Sequence, residues 1–139
     1  MELNYNITAS KLFKLEKKCF PNSAYTLEQL EEIVIDKERY ITIVVLDNEI
    51  EVGYIILFDN SEALEIMKIG TIPEFKRKGI GTLLIEESLK LKKDIFLEVR
   101  ENNSVAREFY KKLLFEEIGK RKNYYPDTKE AAIIMMRKI

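Results

Sequence analysis

Ile69-Gly70-Thr71-Ile72-Pro73-Glu74-Phe75-Lys76-Arg77-Lys78-Gly79-Ile80-Gly81-Thr82 runs from an apolar strand, through a basic turn punctuated by glycine, into an amphipathic helix. That arrangement binds phosphate. Glycine allows a tight turn and brings backbone N–H groups close to an anion. The helix N-terminus adds unpaired donors and a partial positive charge, and Lys76, Arg77 and Lys78 add formal charge at the same place. The spacing is not that of a Walker loop, which ends in Gly-Lys-Ser/Thr, and it lacks the third glycine of the dinucleotide fingerprint. Taken alone, the stretch reads equally well as an ordinary strand-turn-helix junction with solvated lysines.

Outward from that loop, the chain reads as one mixed domain. Its 139 residues suit a single core. Nearly half are apolar and a third are charged, the balance of a water-soluble globular domain. A net charge of −1 argues against non-specific nucleic-acid binding. No apolar run approaches the ~20 residues of a membrane span. The polar, acidic N-terminus does not read as a signal peptide, so the cytoplasm is the expected compartment. Cys19 is the single cysteine and excludes an intrachain disulfide; it reads as a packed, inert thiol beside Leu12 and Leu15. The chain has no histidine, which excludes Ser-His and Cys-His nucleophilic sites and His-ligated metal. No metal is expected, and a general base must come from Glu, Asp, Tyr, Lys or Cys.

The order of elements follows from periodicity and punctuation. Residues 8–20 form a first helix, broken by Phe20-Pro21-Asn22-Ser23. Thr26 and Gln29 make a capping box that opens a second helix with Leu27, Leu30, Ile33 and Val34 as its stripe. Strands are expected at 41–46, 53–58 and 63–71, joined by the turns Asp47-Asn48-Glu49 and Asp59-Asn60-Ser61. The helix after Gly79 carries Ile80, Leu83, Leu84 and Leu91 and ends in Lys90-Leu91-Lys92-Lys93. A strand at 95–100 and a helix capped by Asn103 follow, then strands near 115–124 and 131–137. The expected fold is a single domain over residues 1–139, an α/β sandwich with a mostly antiparallel sheet flanked by about four helices. Residues 1–7 are long enough for one more strand, weakly anchored by Ile7.

Two motifs give this pattern a family resemblance. Lys76-Arg77-Lys78-Gly79-Ile80-Gly81 resembles the acetyl-coenzyme A loop of the GNAT N-acetyltransferases, in which Arg or Gln is separated from Gly-x-Gly/Ala by two intervening residues; here Lys76 holds the first slot. Leu97-Glu98-Val99-Arg100 through Asn103, Ala106, Tyr110 and Phe115 resembles the superfamily's second signature, with Asn103, Ala106 and Tyr110 at i, i+3 and i+7 on one helix face. Leu97-Glu98-Val99-Arg100, Arg121-Lys122-Asn123-Tyr124-Tyr125-Pro126 and Glu130-Ala131-Ala132-Ile133-Ile134-Met135 are similar, more narrowly, to the bacterial ribosomal-protein-alanine N-acetyltransferases. The Phe20-Pro21-Asn22-Ser23 turn fits those enzymes' Phe-Pro-x-Ser pattern. The chain departs from the pattern at Leu114, where Gly is usual, at Asn22, where Trp is frequent, and at Ala131, where Asp is usual.

The resemblance implies acetyl-CoA as cosubstrate. Backbone N–H groups of Arg77, Lys78, Gly79, Ile80, Gly81 and Thr82 would cradle the pyrophosphate. Ile69, Gly70 and Thr71 would pair with the pantetheine arm as an added strand, and Asn103 would touch the cofactor from the other side while also serving as N-cap. Glu98 falls where the family places its general base; its plainer reading is a surface carboxylate paired with Arg100 or a lysine. Tyr110 falls where the family places the group that meets the departing sulfur; its plainer reading is a core tyrosine.

The acceptor implied by the narrower resemblance is a protein or peptide N-terminus, a ribosomal protein beginning with alanine among them. Phe20, Asn22, Tyr124 and Tyr125 would flank its entrance. A lysine side chain, a polyamine or another small amine is the alternative acceptor class, and a non-catalytic acetyl-CoA-binding protein is a third reading. Neither nucleic acid nor membrane is an expected partner, and a monomer or weak dimer is the expected state.

Overall fold

The computed structural model describes residues 1–139. Seven strands form one sheet in the order β1-β2-β3-β4-β5-β7-β6. They are β1 (Glu2–Asn4), β2 (Tyr40–Asp47), β3 (Ile50–Asp59), β4 (Ala63–Thr71), β5 (Asp94–Arg100), β6 (Glu116–Arg121) and β7 (Ala132–Arg137). The helices are α1 (Ala9–Cys19), α2 (Leu27–Ile35), α3 (Ile80–Leu89) and α4 (Ser104–Lys112). Strands β2, β3 and β4 form an antiparallel meander, β4 and β5 are parallel, and β7 returns antiparallel between β5 and β6. No helix is long and apolar enough to cross a membrane.

The helices divide between the two faces of the sheet. Tyr54 donates its hydroxyl hydrogen to Glu16 on α1. At the adjacent Gly53, an added Cβ would lie 2.5 Å from Ile80 Cγ2 on α3. Successive strand residues point to opposite faces, so α1 and α3 cover opposite sides. Gly81 of α3 packs against Phe109 of α4, which puts α4 on the α3 side. The core lies in both layers, with Leu12, Leu15 and Leu30 buried from the α1–α2 side and Ile80, Leu84 and Ile85 from the α3 side.

Local chemistry explains the element ends. Thr8 caps α1 by accepting from Lys11 N, so the helix begins at Ala9. Both halves of the expected Thr26–Gln29 capping box are formed. The β2–β3 turn is a two-residue hairpin loop with positive φ at Asn48 (49°) and Glu49 (66°), the geometry that matches strand twist. Ile7 is fully part of the core at 4% exposure, a firmer anchor than its sequence context suggests. Helix α3 is shorter than its apolar stripe implied: it stops at Leu89, and Lys90 to Lys92 wind on as a turn with Leu91 partly exposed.

Leu114 resolves the question its position raised. Helix α4 ends in a Schellman arrangement: Phe115 N donates to Tyr110 O (3.0 Å) and Leu114 N to Lys111 O (2.9 Å). That motif requires a left-handed residue, and Leu114 takes it at φ 68° while its side chain stays 70% exposed. A non-glycine residue pays ~1–2 kcal/mol there, against ~0.5–1 kcal/mol for the extra chain entropy glycine loses. Leu114→Gly is therefore expected to raise the unfolding free energy by about 0.5–1 kcal/mol in urea titrations; a drop of that size would show that the exposed leucine contributes more than its backbone costs.

Candidate active site

The site begins at a defect in the sheet. Strands β4 and β5 pair only at Ala63↔Asp94, Leu64↔Ile95 and Glu65↔Phe96. Opposite Ile56 and Leu57 on β3, β4 carries one extra residue: Leu57 pairs with Ile66 and Ile56 with Lys68, leaving Met67 as a bulge. A bulge bends its strand and sharpens its twist. From Lys68 onward β4 stays with β3 while β5 stays with β7, so a slot opens between them.

A cleft of roughly 600 Å³ runs along the freed end of β4, between it, the start of α3 and α4. Ile69, Gly70, Thr71, Arg77, Gly79, Ile80, Gly81, Thr82, Asn103 and Tyr110 all line it, and Phe20 joins them. Lys78 does not; its ammonium lies over the Phe75 ring, 4.9 Å from the centroid. Cys19 does, although the sequence placed it in the core. Burial pushes the Cys19 thiol up to about 11, with Glu16 adding to the rise, so it carries almost no thiolate at neutral pH and is a poor nucleophile.

The loop before α3 is built to take an anion. None of the backbone N–H groups from Arg77 to Thr82 donates a hydrogen bond within the protein. Such a run of free donors at a helix N-terminus calls for a negatively charged partner. Arg77 (φ 64°) and Gly79 (φ 81°) both take left-handed backbone, which gathers the donors toward one side. A Cβ at Gly79 would meet nothing within 4 Å, so it is the left-handed backbone, not crowding, that favours glycine there, and the space above the turn is open. The other two glycines have packing reasons. A Cβ at Gly81 would come within 3.0 Å of Phe109 Cζ, and one at Gly70 within 2.7 Å of Phe20 Cε2 and 2.9 Å of Tyr54 Cε1.

Asn103 and Tyr110 reach the cleft from α4. The Asn103 side chain accepts from Ala106 N at 3.1 Å, so its capping role is formed while the residue also lines the cleft. The Tyr110 ring packs edge-on against Phe109 (5.1 Å) and Phe115 (5.3 Å) and is 5% exposed. Burial raises the phenol above its ordinary value, so it stays protonated throughout the neutral range and is a hydrogen-bond donor.

Glu98 approaches from the opposite face. The Glu65↔Phe96 register puts Glu65, Phe96 and, two residues on, Glu98 on the side that faces α1. Glu98 does not pair with Arg100, which goes instead to Asp127 (3.1 Å) and Glu130 (3.5 Å). Its partner is Arg121, 3.8 Å from Oε1; Oε2 is buried and has no hydrogen-bond partner. Tyr124 is drawn into the same group, its phenol raised chiefly by the Glu98 charge. Its ring stands edge-on to Tyr125 at 5.1 Å, and Tyr125 lies under the Arg100 guanidinium at 4.0 Å. Asn22 is exposed on the turn after α1 and does not line the cleft.

Three participants were not singled out in the sequence. Glu65 sits beside Glu98, its carboxyl pushed up by burial first and by the Glu98 charge second. Strict alternation along β4 puts Glu65 with Met67 and Ile69; the bulge instead puts it on one face with Lys68. Arg121 was quoted only as part of a motif, and its role comes from the β6–β7 register. Glu16, fully buried on α1, takes Lys68 as partner at 2.9 Å. A charged residue between Leu12, Leu15 and Cys19 on the inward stripe was the available signal for it.

The cleft thus has free backbone donors at the start of α3 and the protonated Tyr110 phenol on one side of the sheet, with the Glu98 carboxylate on the other. Residues 9–115 match the acetyltransferase (GNAT) family. The chain belongs to that family and is an acetyl-CoA-dependent N-acetyltransferase. It is 33% identical over 106 residues to the ribosomal protein bS18-alanine N-acetyltransferase of Haemophilus influenzae, covering 70% of this chain and 72% of that one. It is 34% identical over 110 residues to an N-alpha-acetyltransferase of Saccharolobus solfataricus, covering 66% and 65%. The crystal structure of the ribosomal-protein-S18-alanine N-acetyltransferase from Escherichia coli superposes with a TM-score of 0.87 at 25% identity, over 99% of this chain and 93% of that one.

Filling the space above Gly79 tests the cradle. Gly79→Val is expected to weaken acetyl-CoA binding at least tenfold in calorimetry while circular dichroism keeps the folded spectrum. Gly79→Asn, which tolerates left-handed backbone, separates lost space from lost conformation and should still bind more weakly than wild type. Unchanged affinity in both variants would place the pyrophosphate elsewhere.

Proposed function

We propose that this chain transfers the acetyl group of acetyl-CoA directly to the α-amine at the N-terminus of a protein, with a ribosomal protein beginning with alanine as the leading acceptor. The observation that carries this reading is the slot between β4 and β5, with Tyr110 on one side and the unpartnered Oε2 of Glu98 on the other. The names of the bacterial and archaeal relatives support the α-amine and the ribosomal protein.

Bound acetyl-CoA supplies an activated acyl carbon and a thiolate leaving group. The chain's own residues do the rest. The donors of Arg77 to Thr82 hold the pyrophosphate, and the free β4 edge at Ile69 to Thr71 aligns the arm that reaches into the slot. A peptide α-amine has a reference pKa of ~7.7–8.0 and arrives largely protonated. Glu98 takes that proton, directly or through one water, so that nitrogen can attack the acyl carbon. As the C–N bond forms and the C–S bond breaks, the Tyr110 hydroxyl hydrogen-bonds the departing thiolate, and the proton that the new amide nitrogen sheds passes through water to that sulfur, giving the free thiol. Because burial raises the phenol, stabilising the thiolate by a hydrogen bond suits Tyr110 better than handing over its proton. The entrance lies on the α1 face between Tyr25 and the Tyr124–Tyr125 turn, where aromatic rings with polar tips suit a short extended peptide.

A second reading keeps the chemistry and changes the acceptor. Glu65 beside Glu98 gives the acceptor face two carboxylates, which also suits a polyamine carrying more than one ammonium group. An alanine-initiated hexapeptide, the same peptide with a blocked α-amine and a free lysine, and spermidine separate the readings by coenzyme A release. The α-amine peptide is expected to be the fastest, and faster turnover of either alternative would move the assignment to lysine or small amines.

Acid–base roles are read from two substitutions. Glu98→Gln is expected to lower turnover ~10²–10⁴-fold at pH 7, with the deficit shrinking toward pH 9, where the amine is already neutral. Tyr110→Phe should lower turnover while acetyl-CoA affinity stays unchanged. Full activity of Glu98→Gln at pH 7 would assign the proton to another group.

A further inference from the structure

Directly after the Met67 bulge, Lys68 turns to the face covered by α1. Its ammonium lies 2.9 Å from Glu16 Oε1 and 3.2 Å from Oε2, and donates to the Ser23 carbonyl oxygen at 2.7 Å. It also sits 4.4 Å from the Phe20 ring centroid and 4.8 Å from that of Tyr25. Glu16 is fully buried and accepts in addition from the Tyr54 hydroxyl and the Tyr25 backbone N–H. One carboxylate–ammonium pair thus holds the segment Phe20–Tyr25 at two rings, one carbonyl and one N–H.

That segment joins the two halves of the site. Phe20 fills the hollow left by Gly70 and lines the cofactor cleft. At the other end, the Tyr25 ring lies 4.8 Å from the Lys68 ammonium, on the sheet face that Lys68 shares with Glu65. Burying an ion pair is a poor way to gain stability, because apolar residues of similar size do as well or better. Here the pair's surplus donors and acceptors go to the backbone of a loop that no regular hydrogen bonding would otherwise hold. The arrangement specifies the position of that loop.

We propose that Lys68 is a positioning residue for the acceptor: with Glu16 it fastens Phe20–Tyr25 to the splayed end of β4, so that one wall of the acceptor entrance is formed before the peptide arrives. The proposal rests on the reading that the acceptor enters on this face. A preformed wall spares the peptide the cost of ordering it. Loss of the clamp therefore appears in the KM for the acceptor rather than in the chemical step, with a smaller effect on cofactor binding, because Phe20 is the one residue of the segment that lines the cofactor cleft.

The test compares Lys68→Met, Lys68→Arg and the double variant Glu16→Gln/Lys68→Met, which leaves no unpaired buried charge should the single methionine variant fail to fold. In the folded methionine variants, the KM for the alanine-initiated peptide is expected to rise about tenfold or more, the cost of ordering a few loop side chains. Turnover at saturation should stay within about threefold, and acetyl-CoA affinity should change by less than the peptide KM does. Lys68→Arg, which keeps the charge and brings planar donors with an affinity for aromatic faces, should avoid much of the loss. A fall in turnover at unchanged KM, or no kinetic effect, would overturn the proposal. Hydrogen exchange at Ser23 to Tyr25 gives a second readout that does not depend on the acceptor. If wild type acetylates no α-amine peptide, the acceptor reading fails, and the clamp still stands or falls on exchange: it must speed up in the methionine variants, and unchanged exchange refutes it.

Discussion

One extra residue in β4 sets the geometry on which everything else depends. Met67 has no partner on β3, and beyond it β4 and β5 no longer share hydrogen bonds. Two parallel strands in the middle of a sheet ordinarily satisfy each other's backbone. Here both are held only on their outer edges, β4 by β3 and β5 by β7, and their inner edges are left for a ligand. The same divergence interrupts the sheet between Tyr110, on the α3–α4 side, and Glu98, on the α1 side. Without it, Tyr110 and Glu98 would be separated by a continuous sheet.

The charges follow this division. On the α3–α4 side the loop is basic and its backbone donors are free, which suits a polyanionic carrier. On the α1–α2 side Glu65 and Glu98 face the entrance with Arg121 as their visible counter-charge, which suits an amine. On the proposed reading, a cationic acceptor and an anionic donor reach the slot from opposite faces, and neither has to pass the other's field. The fully buried Glu16 lies outside this exchange, with its oxygens committed to Lys68, Tyr54 and Tyr25.

Much of this was legible in the sequence because it is encoded locally. Gly79 marks a left-handed turn, Thr26 and Asn103 are caps, and Tyr110 lies one helix face along from Asn103 and Ala106. What escaped reading depends on register. A bulge shifts the face of every later residue in its strand, so Lys68 and Glu65 share a face that alternation does not predict. Arg121 reaches Glu98 only because β6 returns antiparallel beside β7, a pairing made across residues far apart in sequence. Gly70 and Gly81 looked like places for a ligand to approach, but a neighbouring aromatic ring fills the space at each. Leu114 shows the converse, a position whose backbone demands glycine and which the chain fills at a cost.

The central claim is that acetyl transfer takes place through the slot, with donor and acceptor on opposite faces of the sheet. A crystal structure with a conjugate joining coenzyme A through an acetyl bridge to the α-nitrogen of an alanine-initiated peptide tests it most directly. The account predicts pyrophosphate on the N–H groups of Arg77 to Thr82, the sulfur near the Tyr110 hydroxyl, and the peptide leaving past Glu98 between Tyr25 and Tyr124. A peptide leaving on the α3–α4 side, or a bridge that lies outside the gap between β4 and β5, would contradict it.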